Sequence, residues 1–350
     1  MFFFLFALPA AGQESHETLL SSDNAYNPEP SPDGRYIAYV RTGWGERAWI
    51  GFGRASLVSD VKIMDMSRAS SSRTLAQDFF LSGWTTDGSR VVCFRDGRYE
   101  LASVEGIVAM KGNIPNNRGL GPSFAEWVAY LSSPGSLIWS RQTSKSYRII
   151  ETPSQTVVKE KGFWDERVVP SPDGRYLAVF KQFSKTDLRI YNMQSAQWMD
   201  LGEVTIHPDK DWFYIQPNWS PWFADSSKLV FLIGSKLVIS TPDGSSLTSV
   251  GIDGSAGLPV PSPDGKSIAY VTYEPRPRHI RPDLQFWGGT TIHVVSIAGG
   301  STPHKITEKN EDEVLDLKWL DNETLVFDRV ADEVFYGKAR IWMVRVPHWK

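Results

Sequence analysis

Ser31-Pro32-Asp33-Gly34-Arg35-Tyr36-Ile37-Ala38-Tyr39-Val40 recurs as Ser171-Pro172-Asp173-Gly174-Arg175-Tyr176-Leu177-Ala178-Val179-Phe180 and again as Ser262-Pro263-Asp264-Gly265-Lys266-Ser267-Ile268-Ala269-Tyr270-Val271. Weaker copies hold the same frame: Thr85-Thr86-Asp87-Gly88 before Val91, Phe223-Ala224-Asp225-Ser226 before Leu229, and Trp319-Leu320-Asp321-Asn322 before Leu325. A seventh, Phe124-Ala125-Glu126 before Trp127, has a shortened turn. The units stand roughly 40 to 57 residues apart, the period of propeller blades.

The turn explains the repeat. Proline presets φ at the second turn position, aspartate bonds its local backbone, and glycine accepts the left-handed conformation that closes a hairpin. Each turn is followed by β-branched and aromatic runs separated by further turn signals, which gives four strands per unit. In the fourth unit these are 167–170, 176–181, 188–192 and 197–201, and no stretch has helical periodicity. The expected fold is all-β: a propeller of seven four-stranded antiparallel blades, with six blades as the alternative if residues 118–155 are an insertion. The last unit runs out of chain one strand short. Residues 17–21 precede the first unit without a blade of their own and are expected to close the ring by pairing with the last blade.

Composition narrows the function. The 350 residues carry a net charge of -3, which argues against nucleic acid as a partner. Residues 1–13 form an apolar stretch ending in small residues, read as the remnant of an export signal that leaves residues 14–350 as a single propeller domain, periplasmic or secreted. That stretch is too short to span a bilayer, so no stable membrane insertion is expected. The lone Cys93 sits in an apolar run and reads as a small buried hydrophobe.

The quoted Ser-Pro-Asp-Gly repeats resemble those of the TolB-type propeller family, also found in the propeller domains of prolyl-oligopeptidase and dipeptidyl-peptidase relatives. The resemblance covers nearly the whole chain. It implies extracytoplasmic proteins acting through protein contacts, alongside peptidase gating domains and a few lyases. The chain has no Gly-x-Ser-x-Gly elbow, so it lacks the peptidase signature. It also lacks the sialidase-type Ser-x-Asp-x-Gly-x-Thr-Trp box.

Connections between second and third strands mark the candidate site. Four are short, whereas Arg41 to Asp60, Thr272 to Gly289 and Asp328 to Lys338 read as long loops on the first, sixth and seventh units, which are neighbours in a closed ring. They carry Trp44, Arg47 and Trp49, then Arg276, Arg278, His279, Arg281 and Trp287, then Tyr336, the residue types that anchor interfaces. A protein or peptide partner is expected on that face. The competing explanation is a satellite core under the loops with a solvated arginine rim. The basic, proline-rich run 274–283 could instead hold a carboxylate, so a small acidic sugar, bound or cleaved, is the alternative ligand. His207, Asp209 and Asp211 lack a recognised metal spacing, and no metal, cofactor or catalytic residue is assigned. Asp33, Asp173 and Asp264 are explained by their turns.

Overall fold

The computed structural model describes residues 17–22, 24–42, 59–68, 71–95, 98–113, 126–131, 136–141, 146–151, 156–162, 166–182, 186–205, 219–252, 254–277, 285–298, 302–330 and 339–347. Their strands form consecutive antiparallel sheets. The first sheet is β2 (Ala25–Pro30), β3 (Tyr36–Thr42), β4 (Ser59–Asp65) and β5 (Ser72–Gln77). The second is β6 (Phe80–Trp84), β7 (Val91–Arg95), β8 (Arg98–Ala102) and β9 (Val108–Asn113). The third is β10 (Glu126–Leu131), β11 (Ser136–Arg141), β12 (Ser146–Glu151) and β13 (Thr156–Gly162), so 127–131, read as the strand after a shortened turn, is the first described strand of its sheet. The fourth is β14 (Glu166–Pro170), β15 (Tyr176–Gln182), β16 (Thr186–Asn192) and β17 (Trp198–Val204).

The fifth sheet corrects the expectation of seven four-stranded blades. Among the described residues only β18 (Leu229–Ile233), β19 (Lys236–Ser240) and β20 (Leu247–Gly251) pair there, so six blades have four strands, not seven. In place of an inner strand, the described residues make isolated bridges to β18, Trp222 with Leu229 and Thr205 with Leu232. Pro221 has no N–H to extend the first of these and offers only its carbonyl, which accepts the Val230 N–H at 2.9 Å.

The sixth sheet is β21 (Ser255–Pro261), β22 (Ser267–Pro277), β23 (Gln285–Ser296) and β24 (His304–Lys305). The last is β25 (Glu313–Trp319), β26 (Thr324–Val330) and β27 (Arg340–Arg345), completed by β1 (Thr18–Ser21). β1 pairs antiparallel with β27, Thr18 opposite Met343. β2 packs on β25, β26 and β27, which joins the first sheet to the last. The Ala25 N–H donates to the Ala339 carbonyl at 3.0 Å across this seam.

The turns form as their chemistry dictates. Asp33 Oδ1 accepts the Ser31 hydroxyl at 2.5 Å and the Arg35 N–H at 3.0 Å, and Gly34 has φ 69°. The Ser31 hydrogen bond holds the Asp33 carboxyl below its usual range. Asp173 and Asp264 bind Ser171 and Ser262 in the same way, at 2.7 Å each. These carboxylates are committed to their hairpins.

Apolar side chains of alternate strand positions fill the spaces between sheets. The largest core runs from Val169 in β14 to Val344 in β27. Cys93 is fully buried in the core of the first two sheets, which raises its thiol pKa and makes it a packing residue. A second repeat emerges at the weaker turns. Trp84, Trp222 and Trp319 each stand just before the turn, and each indole N–H donates to an inner-strand carbonyl of the preceding sheet: Glu29 at 2.9 Å, Val169 at 3.0 Å and Val260 at 3.0 Å. The strong copies have Pro30, Pro170 and Pro261 at that place. Degenerate turns thus coincide with an added inter-sheet bond. Trp222→Phe, which keeps a ring but loses the donor, should cost about 1 kcal/mol, and Trp222→Ala about 4 kcal/mol, read from urea unfolding midpoints.

Candidate functional site

The connections 43–58, 278–284 and 331–338 link the second and third strands of the first, sixth and last sheets. The sixth sheet differs most from the expectation. Thr272 to Gly289, read as a loop, is instead largely strand: the β22–β23 ladder continues through Glu274 opposite Gly288, Pro275 opposite Trp287, Arg276 opposite Phe286 and Pro277 opposite Gln285. Among the described residues β22 has 11 where its counterparts β3, β15 and β26 have 7, so the described β22–β23 hairpin forms an extended arm. Four further residues extend a strand by about 13 Å.

The base of this arm is held firmly. Thr290, fully buried, exchanges backbone hydrogen bonds with Asn310 at 2.7 and 2.9 Å, and its hydroxyl donates to the Asp312 carbonyl at 2.7 Å. Gly289 has φ 60° and marks the bulge below the arm, where a Cβ would meet the Glu274 Cβ at 3.0 Å. Lys309 reaches the Glu274 carboxylate at 2.6 Å across the same point. Tyr273 is buried and donates its hydroxyl to the Val314 carbonyl at 2.9 Å, tying the sixth sheet to the last. Burial first, and the charges of Glu313, Asp328 and Asp316 after it, push its pKa up.

The first and last sheets share a buried ionic floor that the loop pattern did not reveal. Asp328 of β26 accepts the Asn27 N–H at 2.9 Å through Oδ2, and the Leu315 and Asp316 N–H groups at 3.2 and 2.7 Å through Oδ1. One carboxylate therefore binds the bulged inner strands of both the first and last sheets. Burial, and then the nearby Asp316 carboxylate, raise its pKa to about 7 against the opposing pull of those three donors. Lys318 stands between Glu29 at 2.9 Å and Asp316 at 3.6 Å. Arg329 pairs with both carboxylate oxygens of Glu17 just before β1 and lies over the rings of Phe327 and Trp342. The available signal was an acid within an apolar run, as in Val314-Leu315-Asp316-Leu317 and Leu325-Val326-Phe327-Asp328.

Of the residues expected at the site, the backbones of Arg276 and Trp287 lie in the arm, one position apart in register. Trp44, Arg47, Trp49, Arg278, His279, Arg281 and Tyr336 lie outside the described residues, as do His207, Asp209 and Asp211. Among the described residues, no group of three or more His, Cys, Asp or Glu side chains could hold a metal ion. No helix among them is long and apolar enough to cross a membrane. His293 is half-buried, stacks on Tyr270 with centroids 5.3 Å apart, and shares a 3.1 Å hydrogen bond with the Thr272 hydroxyl. A cavity of about 430 Å³ between the fifth and sixth sheets lies at the opposite end, beside Gly265 and Lys266 of a Ser-Pro-Asp-Gly turn.

The closed ring of radially arranged sheets defines a β-propeller. No family model matches the chain, and no curated protein matches it. Solved structures do. An oligogalacturonate lyase in complex with manganese is similar at TM-score 0.63 and 13% identity, over 97% of this chain and 95% of that one. The β-propeller domain of the Trilobed protease from Pyrococcus furiosus is similar at TM-score 0.53 and 13% identity, over 91% and 93%. That domain is described as having an open velcro topology, whereas here β1 pairs with β27. Pyrococcus horikoshii acylaminoacyl peptidase is similar at TM-score 0.57 and 10% identity, over 91% of this chain and 51% of that one. At such identities the likeness is one of fold, which does not carry function with it.

Proposed function

We propose that this chain is an exported, TolB-like propeller that binds a protein or peptide partner on the face bearing the connections of its first, sixth and last sheets. The observation that carries the reading is the β22–β23 arm, which among the described residues is four residues longer than its counterparts and stands on a base fixed by Thr290, Tyr273 and the Lys309–Glu274 pair. A rigid scaffold presenting extended segments is the usual platform for recognition. The neighbouring connections add Trp44 and Arg278, and the arm adds Trp287, residue types that dominate binding energy when buried by a partner.

The test is affinity capture from an envelope extract of the source cell, with the wild type beside a Trp44→Ala, Arg278→Ala, Trp287→Ala triple variant. The expected result is a protein retained by the wild type alone, with thermal midpoints nearly equal. Equal retention by both overturns the reading. A variant that fails to fold supports a satellite core under the loops instead.

A further inference from the structure

The two edges of the extended arm differ in what they can bond. Pro275 and Pro277 are paired with Trp287 and Gln285, and a proline has no N–H to give. The ladder to β23 therefore passes through the intervening Arg276, and both prolines direct their missing donors to the outer edge of β22. That edge can accept but not donate, the usual protection of an exposed strand. On the other side the geometry is complementary. Because Gln285 and Trp287 face the prolines across the ladder in positions not bonded to them, their own N–H and C=O groups point to the outer edge of β23.

Among the described residues that edge is occupied lower down. β24 pairs with His293 and Val294, Thr307 and Ile306 bond Ile292, and Asn310 bonds Thr290. Among the described residues no strand pairs with β23 beyond Thr290 on that side. The bulge at Gly289 shifts the alternation by one residue, which turns the backbone N–H and C=O groups of Trp287 and Gln285 to the outer edge, above the point where the 306–312 connection ends its cover.

We propose that the edge of β23 at Gln285 and Trp287 accepts an extended segment of a protein partner as an added strand. The proposal rests on the partner-binding reading and specifies its mode: main-chain hydrogen bonds set the register of the guest strand, and alternate side chains set its specificity. A folded partner docking by side chains alone would not need this edge.

The test uses a phage-displayed library of short random peptides selected on the immobilised full-length protein. The best peptide is synthesised with a fluorescent label and titrated by polarisation against the wild type, Gln285→Ala and Gln285→Pro. Proline at 285 removes one outward N–H while leaving the ladder to β22 intact, and alanine keeps that N–H. The expected result is equal binding by the wild type and Gln285→Ala, and roughly tenfold weaker binding by Gln285→Pro, at matching thermal midpoints. Equal binding by both variants overturns the added strand. A library that yields no peptide overturns it too. In either case the capture experiment above still decides the partner-binding reading separately.

Discussion

Asp328→Ala should cost about 3 to 5 kcal/mol of stability, because it orphans three backbone N–H groups at once, two of them buried. Those donors belong to Asn27 of the first sheet and to Leu315 and Asp316 of the last, so the loss falls on the seam that closes the ring. Asp328→Asn should be milder, since its carbonyl can still accept from Leu315 and Asp316 while its amide meets the Asn27 N–H donor to donor. The pH dependence separates charge from geometry. The folded pKa of about 7 lies above the ordinary aspartate value of 3.8, so the folded state binds the extra proton between those values. The stability due to this group is full below the unfolded pKa and is lost as pH rises through about 7, at a slope approaching 1.4 kcal/mol per pH unit. Denaturant titrations between about pH 5 and 8 should show this slope in the wild type and not in Asp328→Asn. Glu313, Asp316, Lys318, Glu29, Tyr273 and the Arg329–Glu17 pair share this floor and remain in both proteins. A wild type with no difference in slope would show that the three donors hold Asp328 ionised throughout.

Gly34→Ala should be comparably damaging, at about 3 kcal/mol. Gly34 has φ 69°, where a side chain is strained, and a Cβ there would stand 2.6 Å from the Leu320 carbonyl oxygen of the last sheet. That atom is backbone, so relief requires the first and last sheets to separate. Gly234 supplies the control: φ 56°, with nothing within 4 Å of an added Cβ. Gly234→Ala should cost only the conformational strain, about 1 to 2 kcal/mol. The difference between the two thermal midpoints isolates the contact that closes the ring. Equal losses would mean that the turn, not the seam, carries the cost.

Both predictions concern the seam between first and last sheets, which also anchors the proposed site. β26 and the start of β25 lie at the end where residues 331–338 and the arm depart, and Tyr273 ties that arm to Val314. A variant that loosens Asp328 should therefore weaken partner capture along with stability, whereas changes confined to the tip of the arm should spare stability.

The repeat was legible in the residues because its causes are local. Within Ser31 to Tyr36, proline, aspartate and glycine act on atoms at most five positions away, and Asp33 bonds Ser31 and Arg35 without reference to the rest of the chain. Pairing of residues 18–21 with the last sheet was also readable, from the strand that the last unit lacks. Three features were not legible. Among the described residues the fifth sheet has three strands, and Pro221 limits a ladder that its apolar, aromatic surroundings favour. The segment 274–277 is strand although its prolines signal a break, because both face the unbonded side of a hairpin whose base is locked elsewhere. The buried floor unites Glu17 with Arg329 and Asn27 with Asp328, pairs some three hundred residues apart that meet only when the ring closes. Turn chemistry decides how each hairpin bends, and only the closed ring decides which charges it buries and which edge it leaves open.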